Sequence, residues 1–157
     1  MIDDKFKDLA DAAVNLVDGI KRTGIKIIGL RDRYCKLLMP LEGNINHVGM
    51  MYAGSLFTIG ELPGGIIVFA SYDFGKYVPI VKEVTIRFVS PAKTDVTLEL
   101  EWTKEYAEAL GKEALENGKA DFTLEMEIKD AGGEVVSMVS GVWQIRPLTE
   151  ANANPFE

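Results

Sequence analysis

The chain has 157 residues, 17 basic and 24 acidic side chains for a net charge of −7, and a single histidine and a single cysteine. That length fits one domain whose core needs no disulfide, and one histidine with one cysteine excludes a zinc site of the usual nitrogen and sulfur type, leaving open only a carboxylate site of the kind that holds magnesium. An acidic balance without a dense basic cluster argues against nucleic acid as a ligand, and the lack of a basic leader with an apolar core argues against secretion, so the cytoplasm is the expected compartment.

Taken in order, Phe6, Leu9, Ala10, Ala13, Val17 and Ile20 recur at helical spacing. With Asp3 and Asp4 before them, Lys21 and Arg22 after them and Gly24 as a stop, they predict one amphipathic helix inside an N-terminal segment 1–24. Ile25 to Leu41 reads as one extended strand that bulges near Gly29. Cys35 falls within it and is expected as a small buried residue rather than a reactive thiol. A loop from Glu42 to Val48 follows.

Met50 to Leu62 is almost wholly apolar or small, so a helix there has no face for water and must be covered by the rest of the chain. Pro63-Gly64-Gly65 is expected to end it, at a length too short to span a bilayer. Its one ionisable residue, Glu61, is costly to bury unless something pairs with it or uses it, which makes it the first candidate for chemistry. The plain alternative is a buried carboxylate that caps backbone groups or pairs with an arginine or lysine across a subunit interface.

Beyond the helix, Ile66 to Ser71 reads as a short strand and Tyr72 to Pro79 as a connection. Val84 to Phe88 and Val96 to Trp102 alternate apolar and polar residues, with Ser90 to Lys93 as the turn between them. Thr103 is placed to cap a helix from Lys104 to Asn117, closed by Gly118. Ala120 to Lys129 alternates again, Asp130 to Gly133 is a hairpin turn, Val135 to Ile145 is a last strand ended by Pro147, and 148–157 is a tail. No repeat or linker divides the chain. A curved, mostly antiparallel sheet wrapped round one apolar helix satisfies the whole pattern, an α+β architecture.

This order resembles the hotdog fold, and Asn44 to Glu61 is similar to the active-site segment of hotdog acyl-CoA thioesterases of the phenylacetate-pathway type. There an Asn precedes a His-Gly-Gly triplet and an Asp follows seven residues after the last Gly. Here Asn46 stands eight residues before Gly54 and Glu61 seven after it, and Val84 to Ala92 is similar to the strand and turn that follow. Tyr52 replaces the family histidine and Ala53 the first glycine, and Glu for Asp is shared with an uncharacterised branch of the superfamily.

The resemblance implies hydrolysis of an acyl thioester, on coenzyme A or an acyl-carrier protein, by a homodimer or tetramer that needs no cofactor beyond the coenzyme A of its substrate. Glu61 is the implied base or nucleophile, Asn46 and Tyr52 its positioning partners, and the N–H groups of Ala53 and Gly54 the oxyanion donors. His47, Gly49, Arg87 and Lys93 are the further residues expected to face substrate. Two other readings share the fold. One is a non-catalytic acyl-binding or regulatory module. The other is a dehydratase that pairs His47 with Glu61, fourteen residues on, although Val48-Gly49 stand where those enzymes carry Phe-Pro.

Overall fold

The structure is a computed structural model that describes residues 1–73 and 75–149. The N-terminal segment is not one helix. A 3-10 turn, Asp4–Phe6, leads into α1 (Lys7–Asn15), the chain opens at Leu16 and Val17, and a single turn, α2 (Asp18–Lys21), follows. Val17 is extended at φ −108° and ψ 114°, and both Leu16 and Val17 are exposed, so the apolar period carries across a break.

Ile25 to Leu41 is a hairpin rather than a single strand. β1 (Lys26–Arg31) turns at Asp32 and Arg33 into β2 (Tyr34–Met39), antiparallel to it. Asp-Arg is not a turn pair that the sequence announces, and Arg33 adopts the left-handed conformation at φ 56°. Its N–H donates to Ala70 O at 3.2 Å and its carbonyl accepts from Trp102 N–H at 2.9 Å, which holds it there. The expected bulge is present, as the pairing slips between Ile27 and Gly29. Cys35 is fully buried, and burial pushes its thiol up to about 12, as an inert core residue requires.

The apolar segment forms α3 (Ala53–Glu61), passes through Leu62, itself helical, and continues as α4 (Pro63–Ser71). Neither the stop at Pro63 nor the strand from Ile66 is observed. Pro63 occupies the first position of the second segment, where a missing N–H costs least, and Ile66 N–H returns to Leu62 O at 3.2 Å. Ile66, Ile67 and Val68 are buried, and an apolar run of that length carries no period to separate helix from strand. The 19 residues from Ala53 to Ser71 are long and apolar enough to cross a bilayer by length and composition, so the expectation of a helix too short to span does not hold. In the fold they lie against the sheet. Gly60 and Gly64 make that approach close. A Cβ on Gly60 would stand 2.9 Å from Val139 Cγ2, and one on Gly64 2.2 Å from Trp143 Nε1.

β3 (Tyr77–Phe88) begins well before the expected Val84 and carries Pro79, tolerated on an edge strand. Then come β4 (Val96–Glu101), α5 (Lys104–Asn117), β5 (Ala120–Asp130) and β6 (Val135–Pro147). α5 is as expected. Thr103 Oγ1 accepts Tyr106 N–H at 3.1 Å, and Gly118 closes the helix at φ 73°. The six strands form one sheet in the order β1-β2-β4-β5-β6-β3 with every pairing antiparallel. β3 and β4 are therefore not neighbours, and Ser90 to Lys93 belongs to a crossover rather than a hairpin.

One sheet edge is covered and one is open. Met1 to Asp3 pair alongside β1, through Asp3 N–H to Leu30 O at 2.9 Å and Leu30 N–H to Met1 O at 3.2 Å. β3 forms the opposite edge with nothing beyond it among the described residues. The core between helix and sheet is sealed by rings, with Trp102 edge-on to Phe122 at 5.1 Å and Phe122 stacked on Trp143 at 6.2 Å. The expected tail over 148–157 lies outside the described residues from 150 onward.

Candidate functional site

Asn46 to Met50 form a tight loop just before the long helix. Asn46 Oδ1 accepts the N–H groups of Val48 at 3.0 Å and Met50 at 3.1 Å, and Asn46 N–H donates to Met50 O at 2.7 Å. Gly49 closes the loop at φ +80°, a conformation that a side chain would strain. Asn46 thus spends its carbonyl on shaping the loop, and its amide NH₂ is left without a partner among the described residues. His47 is exposed at the loop tip.

The start of α3 is open. Tyr52 stands at the N-cap, where it cannot cap, and its side chain makes no cap hydrogen bond. Tyr52 O accepts from Ser55 and Leu56, whereas the N–H groups of Ala53 and Gly54 have no acceptor among the described residues. Two parallel donors at the positive end of a helix dipole suit a developing oxyanion. Tyr52 is 58% exposed and its ring lies over Gly54, so that a Cβ there would come within 2.3 Å of Tyr52 Cε1. Gly54 is what lets the ring and the helix start lie together.

Two buried residues that the sequence reading passed over fix this arrangement. Asn44 donates from Nδ2 to Thr23 O at 2.7 Å and Pro40 O at 2.9 Å, and accepts from Ser55 Oγ at 2.7 Å. One buried amide thereby ties the N-terminal segment, the end of β2 and the first turn of α3 together. A polar residue beside an apolar helix is the only trace of this in the sequence. The resulting groove has a volume of about 480 Å³ and holds Asn46, His47, Tyr52 and Gly54 together with Arg22 and Thr23.

Glu61 lies elsewhere. Seven residues of helix separate it from Gly54, roughly 10 Å along the axis. Gly65, one turn further on the same face, has Pro79 of β3 as its nearest neighbour, so Glu61 looks toward the open sheet edge. It is part-buried with no hydrogen bond or ion pair among the described residues, and burial raises its pKa above the ordinary carboxylate value. Of the plain alternatives, a carboxylate that caps backbone groups finds no such partner among the described residues; pairing with a cation across a subunit interface lies outside a single chain.

The two cations expected near the site part company. Arg87 lines a basin of about 880 Å³ on the outer face of the sheet, among Lys36, Glu99, Glu125 and Lys129, away from the helix start. Lys93 is exposed on the crossover, beside Ala92, whose carbonyl accepts Met51 N–H at 2.8 Å and so brings that crossover to the site. No cluster of three or more His, Cys, Asp or Glu side chains able to hold a metal occurs among the described residues.

Sheet order and wrapped helix define a hotdog fold, and solved structures agree. The chain is 41% identical to PA5026 of Pseudomonas aeruginosa, a protein described as of unknown function and a probable thioesterase, with a TM-score of 0.85 over 90% of this chain and 95% of that one. A protein of unknown function from Chlorobaculum tepidum matches with a TM-score of 0.77 at 17% identity, over 89% of this chain and 93% of that one. The Haemophilus influenzae thioesterase HI1161 matches with a TM-score of 0.68 at 12% identity, over 92% of both chains. No curated protein matches. The chain belongs to the family described as domain of unknown function DUF4442, matched over residues 8–145.

Proposed function

We propose that the protein hydrolyses an acyl thioester, carried on coenzyme A or an acyl-carrier protein, in the cytoplasm, and that its working form is a homodimer or a pair of such dimers. The observation that carries this reading is the pairing of an uncapped helix start, with two unclaimed N–H donors, and a part-buried, unpaired carboxylate seven residues further along the same helix. A thioester carbonyl seated on the Ala53 and Gly54 N–H groups gains stabilisation as its oxygen becomes anionic. Glu61, ionised, takes a proton from the attacking water or attacks the carbonyl carbon itself. The adduct collapses with loss of the thiolate, which is protonated. Water attack releases the acid directly, whereas attack by Glu61 leaves a mixed anhydride that a water then hydrolyses to the acid and free Glu61.

Roughly 10 Å of helix keeps Glu61 from the carbonyl held by its own chain. Glu61 faces the open edge along β3, so a second copy joined there by a two-fold axis sets each carboxylate against the other's helix start. Asn46, with its free NH₂, orients the water, and Tyr52 offers a hydroxyl where relatives with a histidine offer a ring nitrogen. His47 is exposed at the loop tip, which favours the thioester reading over a dehydratase that needs it as a buried acid–base partner of Glu61.

The test is release of free thiol from a panel of short, medium, long and aryl acyl-CoA. Wild type is expected to hydrolyse at least one of them, with Glu61→Ala slower by roughly a hundredfold to ten-thousandfold. Equal rates for both proteins across the panel sink the thioesterase reading, and acyl-CoA binding that survives Glu61→Ala without turnover by either protein establishes the non-catalytic module instead.

A further inference from the structure

We infer that Asn44 is the positioning residue of the oxyanion donors, fixing the direction in which the Ala53 and Gly54 N–H groups point; this rests on the thioester reading above. Asn44 meets the start of α3 twice. Its carbonyl accepts Tyr52 N–H at 2.7 Å, and its side-chain Oδ1 accepts Ser55 Oγ at 2.7 Å. Ala53 and Gly54 are the residues in between, so one residue holds the chain on either side of the two unclaimed donors.

The hold has a single orientation. Asn44 Nδ2 donates to Thr23 O at 2.7 Å and Pro40 O at 2.9 Å, and Glu42 O is a third carbonyl at 3.5 Å. Turning the amide over would set Oδ1 against these carbonyls, which repel it, so Oδ1 stays on Ser55. Asn44 N–H donates to Leu41 O at 2.9 Å, which leaves every polar group of the residue partnered. Asn44 is 6% exposed and Ser55 5%, so solvent does not compete for the bond between them.

Stability alone does not ask for that bond. Asn44, Ser55, Ser137 and Gln144 are the buried polar residues among the described residues, and two of these four bond to each other at the start of an otherwise apolar helix. A buried hydrogen-bonded pair adds little over a packed apolar pair, but it fixes distance and direction. Direction matters here, since a misplacement of about 1 Å at a reacting group costs roughly a hundredfold in rate. Two N–H groups that stay unbonded until substrate arrives must have their direction set from outside the helix, and Asn44 sets it.

The experiment uses Ser55→Ala, which removes the side-chain anchor and leaves the Asn44 amide tied to Thr23 O and Pro40 O. With the acyl-CoA that wild type hydrolyses fastest, kcat is expected to fall by roughly tenfold to a hundredfold while KM moves less than about threefold, because donors out of line weaken the transition state more than the bound ester. Thr103→Ala is the control for stability, as it removes the cap on Tyr106 N–H in α5 and is expected to lower Tm comparably with kcat unchanged. Unchanged kcat in Ser55→Ala, a loss confined to KM, or an equal loss of kcat in Thr103→Ala overturns the inference. If wild type releases no thiol from any thioester, hydrolysis is refuted, and the amide resonances of Ala53 and Gly54 decide the role of Asn44, with acetyl-, hexanoyl-, palmitoyl- and benzoyl-CoA added in turn. Displacement of both resonances in wild type but not in Ser55→Ala upholds that role toward a bound carbonyl. Equal displacement in the two proteins, or none in either, overturns it.

Discussion

At the scale of single residues, the folded chain holds the Glu61 proton more tightly than the unfolded chain, because burial disfavours the carboxylate and no partner among the described residues compensates. The sign for stability follows. The folded state binds more protons than the unfolded state at pH values between the unfolded and folded pKa, so stability falls as pH rises through that window and stays lower above it. Glu61→Gln is therefore expected to raise Tm at pH 7, and to lose that advantage below the ordinary carboxylate range, where both forms are neutral. Thermal melts of the two proteins from pH 3.5 to 8 test this, and a Tm for Glu61→Gln below wild type at pH 7 would show that the carboxylate has a stabilising partner. The pH–rate profile should agree, with the acid limb of thiol release displaced upward from the usual carboxylate range. Glu61 was legible in the sequence as a charge on an apolar helix. Asn44 was not, since an asparagine in a loop looks alike whether its amide meets water or, as here, Thr23 O, Pro40 O and Ser55 Oγ. Arg87 is a related case, because strand alternation shows that a residue faces outward without saying which side of the sheet it serves, and the structure places it in the basin on the outer face.

At the scale of elements, the sequence revealed most where the period was long and failed where runs were short. α5 and β5 could be placed from pattern, cap and alternation. The apolar run after Pro63 could not, as it satisfies strand and helix alike until the sheet is known to cover it on the side of β6. That covering makes a prediction about glycine. Alanine is the better helix former by roughly 1 kcal/mol, so an unconstrained glycine in a helix gains from substitution. Gly19 in α2 has nothing within 4 Å of its would-be Cβ, and Gly19→Ala is expected to stabilise by about 0.5–1 kcal/mol. At Gly64 the new methyl would stand 2.2 Å from Trp143 Nε1, on a ring that is 1% exposed and stacked on Phe122, with no room to retreat. Gly64→Ala should destabilise by about 1–3 kcal/mol or more, overwhelming the propensity gain. Gly60→Ala should fall between them, since Val139 Cγ2 at 2.9 Å is a smaller group to displace. Urea denaturation of the three variants decides, and equal effects at Gly19 and Gly64 would mean that helix and sheet are not packed this closely.

At the scale of the whole molecule, the asymmetry of the two sheet edges matters most. β1 is covered by Met1 to Asp3, while β3 has no strand beyond it among the described residues and leaves Val81 44% and Phe88 51% exposed. An uncovered edge with such apolar side chains invites pairing, and on the proposed mechanism pairing with a second copy brings Glu61 to the helix start. Val81→Lys changes a residue already half open to water, so its cost to the isolated fold is small, yet it sets a charge on the edge. Sedimentation equilibrium should show wild type at a multiple of the 17.3 kDa chain and Val81→Lys shifted toward 17.3 kDa, with thiol release lost alongside. Chain mixing tests whether the sites are shared. Glu61→Ala keeps an intact helix start, and Gly54→Val, which crowds Tyr52 and covers the oxyanion donors, keeps an intact Glu61. Each homodimer is inactive. A mixed dimer holds one site in which the intact helix start of the first chain meets the intact Glu61 of the second, and one site defective in both. Random reassortment of equal amounts makes half the dimers mixed with one working site each, so about a quarter of wild-type activity returns. If each chain carried a complete site of its own, mixing would restore nothing.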